Sequence, residues 1–286
     1  MTARYIDANA LASALPTTFS ATSPLRDQLA ALVAAQPTYV PPVTDPTPPP
    51  TGGAGTRLGK ANAFWDDFTG PGLDTTNWTN GKSSSFPNNG PTNVGDTKLD
   101  YLDPAQVSVA NSQVVFTATP NGKLSNGKTA WHTGLITTEY SPAGFQVKPG
   151  DYVEVVCTLP GAKGAWPALW TWKNGGNEVD SFEYHPDNAS LLELTNHVSG
   201  HNSSDYYTNF NAVAPGKVVT IGTLYGQGAV TWYVNNIAVF TDKTGVGAAW
   251  SAYLIVNLSV EDGTYHPAPV GSTPFSFQVD SVGVWR

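Results

Sequence analysis

The 286-residue sequence predicts an all-β fold, a sandwich of two packed antiparallel sheets of jelly-roll type. Three observations carry that expectation. Short apolar runs at 113–119, 152–159, 218–223, 230–234, 253–258 and 275–285 are separated by Gly, Pro and Asn, the punctuation of strands and turns. Within 152–159, Val153, Val155, Cys157 and Leu159 alternate with Tyr152, Glu154, Val156 and Thr158, the period of two that a strand requires. No long helical stretch follows residue 60. About a dozen strands are expected, with two layers burying their inner faces against each other.

Composition narrows the class of partner. Charged residues make up 13% of the chain, against a usual share of about 25%. Aromatics make up 11%, and the formal net charge is −8. A nucleic-acid partner is not expected, because phosphate binding needs clustered Lys and Arg. A membrane partner is not expected either. No segment reaches the ~18 apolar residues of a span, and no basic cluster offers an electrostatic anchor. Cys157 stands alone, so no disulfide forms within the chain, and a buried small apolar side chain is the expected role.

The first sixty residues read differently. Seven prolines lie between Pro37 and Pro50, followed by Thr51-Gly52-Gly53-Ala54-Gly55. Residues 37–60 are therefore expected to form a linker, extended where Pro dominates and flexible where Gly does. It divides residues 1–36 from a β domain at 61–286. In the first unit Ser23 can cap a helix and Pro24 suits its first turn. Leu25, Leu29, Leu32 and Val33 then fall on one helical face. Thirty-six residues bury too little to fold alone, so this short helical anchor is expected to dock on a partner or oligomerise. No signal peptide is evident, since Arg4 is the only early positive charge and Ile6, Asp7 and Asn9 break up the apolar run.

Acidic residues are scarce, which makes Glu178-Val179-Asp180-Ser181-Phe182-Glu183 conspicuous. In a regular strand Glu178 and Asp180 share a face and Glu183 has the wrong parity. One extra residue in a β-bulge between Asp180 and Glu183 restores it, so that all three carboxylates converge. Such a group repels itself unless a function uses it. Glycoside hydrolysis is such a function, needing one ionised carboxylate and one protonated carboxylic acid.

That motif, together with Gly164-Ala165-Trp166-Pro167-Ala168-Leu169-Trp170, resembles glycoside hydrolase family 16, in its bulged Glu-x-Asp-x-x-Glu branch. The likeness runs over most of 64–286. It takes in Trp65-Asp66-Asp67-Phe68, Gly134-Leu135-Ile136-Thr137-Thr138, Leu254-Ile255-Val256-Asn257-Leu258 and Val279-Asp280-Ser281-Val282-Gly283-Val284. The resemblance implies a concanavalin A-like β-jelly-roll and a retaining endo-β-glycanase of β-1,3-glucanase type, with a polysaccharide as substrate. It implies Glu178 as nucleophile, Glu183 as general acid/base and Asp180 as the residue assisting Glu178. Trp166, Trp170, Trp172, His197 and Asn257 are the implied substrate contacts. No cofactor is required; the resemblance also allows a structural Ca2+ on the convex side, as members of the family often carry, with Asp280 and Asp67 as candidate ligands. Two departures stand out: Leu135 occupies a position where many members carry Arg, and Glu261-Asp262 follows the closing strand where Gly-Gly is common.

A catalytic sandwich on a short Pro-linked anchor, without an evident export signal, suggests a bacteriophage tail-associated protein. The expected location is then extracellular or in the virion tail, with residues 1–36 binding other virion or assembly proteins. A non-catalytic carbohydrate-binding protein, or a structural tail protein on the same fold, is the alternative expectation.

Overall fold

The computed structural model describes residues 55–90 and 97–286. Seventeen strands, numbered in chain order, form two sheets among these residues. The ten-stranded sheet runs in the order β15 (Ile237–Asp242), β14 (Val230–Val234), β13 (Val218–Tyr225), β8 (Tyr152–Thr158), β17 (Phe275–Trp285), β5 (Gln113–Lys123), β6 (Thr129–Thr133) and β3 (Asp100–Leu102). In addition β1 (Asn62–Asp66) pairs with β17, and β4 (Val107–Ala110) with β5. The seven-stranded sheet runs β12 (Ser203–Thr208), β11 (Leu191–Asn196), β10 (Val179–Glu183), β9 (Ala165–Trp172), β16 (Tyr253–Val260), β7 (Leu135–Thr137) and β2 (Thr79–Asn80).

The all-β expectation holds, with two corrections. There are more strands than the dozen the apolar runs suggest, because short pieces such as β2, β3 and β7 are too brief to leave a periodic signature. The sheets are also not wholly antiparallel: β3 pairs with β6 in parallel, Asp100 opposite Trp131 and Leu102 opposite Thr133. Besides strands the described residues contain four short 3-10 turns and no α-helix. The expected helical segment at 1–36, and the linker as far as residue 54, lie outside the described residues.

The end of the expected linker belongs to the sandwich. Trp285 Nε1 donates to the Gly55 carbonyl at 2.8 Å. Arg57 lies over the Trp285 ring and pairs with Glu154, Nε to Oε1 3.1 Å. Glu154 sits buried in the centre of β8 and needs a counter-charge there. The chain supplies it from Arg57, four residues before the expected boundary at 61.

The sheets face each other across a large apolar core. Phe182 of β10 meets Phe277 of β17 edge-on, and Phe277 stacks on Phe116 of β5. Cys157 lies fully buried among them, and burial pushes its thiol pKa well up, so it behaves as a small apolar side chain. Phe182 is wholly inaccessible to solvent. Phe182→Ala is expected to destabilise the domain by about 3–5 kcal/mol, the cost of a buried Phe-to-Ala cavity. Urea unfolding at fixed m-value measures it.

Candidate active site

The outer face of the seven-stranded sheet carries the carboxylate group, and strand register decides which side chains reach it. On β9 the core takes Leu169, while Trp166, Ala168, Trp170 and Trp172 alternate outward. On β16, Leu254, Val256, Leu258 and Val260 face the core. Ile255, Asn257 and Ser259 stand opposite Trp170, Ala168 and Trp166 respectively.

β10 contains the bulge that the carboxylate spacing demands. Against β11, Asp180 pairs with Thr195 and Glu183 with Glu193, three residues against two. Against β9, Asp180 pairs with Trp170 and Glu183 with Ala168, again three against two. The surplus is absorbed at Ser181-Phe182, both fully buried. The opposite sheet fixes this irregularity. Trp232 Nε1 of β14 donates to the Asp180 carbonyl at 2.8 Å. Thr223 Oγ1 of β13 donates to Ser181 Oγ at 2.8 Å, and Ser181 Oγ lies 3.1 Å from the Tyr225 hydroxyl. A polar Ser inside the core is thus satisfied, and Asp180 and Glu183 emerge on one face, with Glu178 entering from the residue just before the strand.

Each carboxyl sits in a different environment. Asp180 is buried and pairs with His197, Oδ2 to Nε2 3.2 Å. Burial raises its pKa, and the hydrogen bond from His197 opposes that rise. The same hydrogen bond raises the pKa of His197. Glu178 is pushed up to about 7, first by burial and then by the Asp180 charge. Glu183 accepts a hydrogen bond from Trp166 Nε1 at 2.9 Å. It is pushed up further, to about 8, by burial and by the charges of Asp180 and Glu193. The difference matters chemically: His197 opposes the rise at Glu178, whereas Glu193 adds a second like charge at Glu183, an order that favours the proton on Glu183. A pair of carboxyls whose environments set them apart in this order can supply one anion and one acid at the same pH.

The structure brings the sequence-derived candidates to one face. Trp166 stands beside Glu183, with Lys98 Nζ over its ring at 5.1 Å and the His185 ring at 5.2 Å. Trp170 donates through Nε1 to Asn257 Oδ1 at 2.8 Å, while Asn257 Nδ2 donates to Ser259 Oγ at 2.9 Å. Asn257 is buried, and both ends of its amide are engaged, so it orients Trp170. Trp172 packs edge-on against Trp170, and both lie half-buried against Phe86, Leu102, Leu135 and Ile255. Leu135 therefore helps to make an apolar floor beside Asn257, its partner across β7 and β16.

Asp67 and Asp280 gain no shared carboxylate set. Asp67 Oδ1 accepts from the backbone N and hydroxyl of Thr69. Asp280 sits in an irregularity of β17 and accepts from Gln113 Nε2. Neither joins a cluster of three or more His, Cys, Asp or Glu side chains among the described residues. A Ca2+ site of 6–8 oxygens would have to draw mainly on carbonyls and water there.

Four residues at the site escape sequence reasoning. Lys98 is held by the Phe86 and Trp166 rings. Glu193 stands opposite Glu183, and His185 and His266 stack on each other. No motif of their own marks them, although His185 closely follows the acid motif, and only tertiary pairing assembles them.

The comparisons with known proteins agree with this architecture. No protein-family model matches the chain. Across 80% of its length the chain superposes on 95% of the endo-beta-1,3-glucanase from Pyrococcus furiosus, with a TM-score of 0.66 and 23% identity. The laminarinase from Flavobacterium sp. UMI-01 matches 79% of the chain over its whole length, with a TM-score of 0.65 and 20% identity. The fold is the laminarinase jelly roll. Among curated proteins, Endo-1,3-1,4-beta-glycanase EglC of Rhizobium meliloti is 25% identical over 223 residues, 69% of this chain and 45% of that protein. Endo-1,3-1,4-beta-glycanase ExsH of the same organism is 26% identical over 160 residues, 54% of this chain and 34% of that protein. The chain thus spans less than half the length of these curated relatives.

Proposed function

We propose that this domain is a retaining endo-β-glycanase that hydrolyses β-1,3-linked or mixed β-1,3-1,4-linked glucan. The observation that carries the reading is the β10 bulge, which sets Asp180 and Glu183 on one face beside Glu178 in distinct electrostatic surroundings. The named activities of the relatives support the choice of linkage.

The residues divide the work as follows. Ionised Glu178 attacks the anomeric carbon while protonated Glu183 delivers its proton to the glycosidic oxygen, and the C–O bond breaks. The leaving chain departs with a free hydroxyl, and the sugar is left esterified to Glu178. Glu183, now a carboxylate, takes a proton from water as the water oxygen attacks the anomeric carbon, and Glu178 leaves as the anion. Asp180, tied to His197, raises the proton affinity of both glutamates, and Glu193 adds to it at Glu183, the acid. Trp166 holds the Glu183 carboxyl through Nε1.

Incubation with laminarin, barley mixed-linkage β-glucan and a galactan panel, read by reducing-end release, tests the substrate class. Proton NMR of the first anomer released tests the stereochemistry, and the β-anomer is expected. Binding to these glycans without release would support a carbohydrate-binding protein in place of an enzyme. Initial release of the α-anomer would rule out the double displacement.

The proposal extends to residues 1–36 as a docking segment for virion or other assembly proteins, a reading that rests on the Leu25, Leu29, Leu32, Val33 stripe and the Pro-rich linker. Removing residues 1–50 is expected to leave the melting temperature unchanged and convert an oligomer to a monomer by size-exclusion chromatography. A lower melting temperature with the same oligomeric state would overturn the docking role.

A further inference from the structure

Behind Glu183 lies a second charged assembly that the proposed chemistry does not use. Glu183 on β10 and Glu193 on β11 are direct cross-strand partners and so project from the same face. Directly opposed like charges destabilise a strand pair unless something compensates them. Here the compensation comes from the segment following β16. His266 places Nε2 3.6 Å from Glu193 Oε1, and Nδ1 3.1 Å from Asp187 Oδ2. Both nitrogens thus face carboxylates, Asp187 on one side and Glu193 on the other.

His266 is held firmly in that place. Its ring stacks on His185, with centroids 3.6 Å apart and planes within 3°. His185 in turn packs against Trp166, which bonds to Glu183. Burial, and then the charge of His266, push the His185 pKa down to about 3, so His185 stays neutral under its partner. The segment itself is docked at two points. Glu261 N donates to the Gly164 carbonyl, and Pro269 packs so closely on Gly164 that a Cβ there would collide with the proline ring. Gly164 also has φ +84°, a conformation that favours glycine.

The ligand types in this cluster, His185, Glu193 and His266, would suit a metal ion. The ring geometry argues against one. Imidazole lone pairs lie in the ring plane, and two parallel planes share no point where one ion could receive both.

We propose instead that Glu193, clamped by His266, is a positioning residue for Glu183: its carboxylate, set directly across the strand pair, holds the proton on the acid. This inference rests on reading Glu183 as the acid/base. Other charged groups also lie near Glu183, namely Asp180 on its own strand with Glu178 just before that strand, His197 beyond Asp180, and Lys98 over Trp166. Asp187, His266 and Tyr206, the last across β12, face Glu193. Asp180 and Glu193 favour the protonated form of Glu183, while Lys98 opposes it.

The chain has only six glutamates, so carboxyl-13C NMR of glutamate-labelled protein can follow each one through a pH titration. The Glu183 signal is assigned by its loss in Glu183→Gln. Glu193→Gln is expected to lower the Glu183 midpoint by about half to one pH unit, a three- to tenfold change in proton affinity. Glu193→Thr, neutral and suited to a strand, serves the same purpose should the glutamine variant fold poorly. His266→Gln is expected to raise the midpoint of Glu193 itself. An unchanged Glu183 midpoint in the folded Glu193 variants would overturn the proposal, even if they melt earlier. An unchanged Glu193 midpoint in His266→Gln would remove His266 from it. The acid/base reading fails separately, if Glu183→Gln releases reducing ends from barley β-glucan as fast as the parent protein.

Discussion

Glu178→Gln is expected to lose turnover by about four orders of magnitude or more, the scale seen when a nucleophile is removed from a preassembled catalytic group. The substitution is nearly isosteric, and Glu178 is only partly buried just before β10, so the fold should persist. Binding should persist as well, because the aromatic face and the Asn257–Trp170 hydrogen bond are untouched. The check is kcat on barley β-glucan beside the dissociation constant for an oligosaccharide that the parent cleaves. Undiminished cleavage would exclude Glu178 as the nucleophile.

Glu183→Gln is expected to separate activity from stability. Turnover on a polysaccharide should fall by roughly 10²–10⁴-fold, the usual contribution of a general acid. It should fall far less on an aryl glycoside whose leaving group departs without a proton. Stability should move in the opposite direction. The folded protein holds the Glu183 proton up to about pH 8, while an unfolded chain releases it near pH 4.5. Between those values the folded state binds more protons than the unfolded one, so stability declines as pH rises through that window. Gln has no proton to lose. The variant's melting temperature should exceed the parent's by a margin that is small at pH 4.5 and grows to several degrees by pH 9. A margin that is constant with pH would show that Glu183 is not held protonated by its surroundings.

The parts of this molecule that could be read from the sequence are those written in local spacing. Alternation in 152–159 placed β8, and parity alone required a bulge between Asp180 and Glu183. What holds the bulge was not legible. Trp232 reaches the Asp180 carbonyl from 52 residues away, and Thr223 reaches Ser181 from 42. Nothing near Trp232 distinguishes it from the other tryptophans until the sheets are stacked. The same holds for Glu193 and His266, which meet only because β10 and β11 pair in one register and the segment after β16 folds back over them. The boundary of the β domain was misplaced for a related reason. Gly55 looks like linker by composition, yet its carbonyl is the partner of Trp285 at the other end of the domain.

The bulge at Ser181-Phe182 also gives the strand something like a reading frame. Upstream of it, even-numbered residues look out over the cleft; downstream, odd-numbered ones do. Losing one residue within 181–182 would turn the next carboxyl to suit a straight strand without changing its identity. Losing one between 184 and 190 would leave both acids in place and cost only turn geometry. No point substitution can repair a shift of frame, because side-chain chemistry cannot restore parity. Straight and bulged versions of such a strand are therefore separated by a length change rather than by a path of replacements. The opposite sheet must accommodate that change in the same step, since Trp232, Thr223 and Tyr225 are set to receive a backbone with the extra residue present.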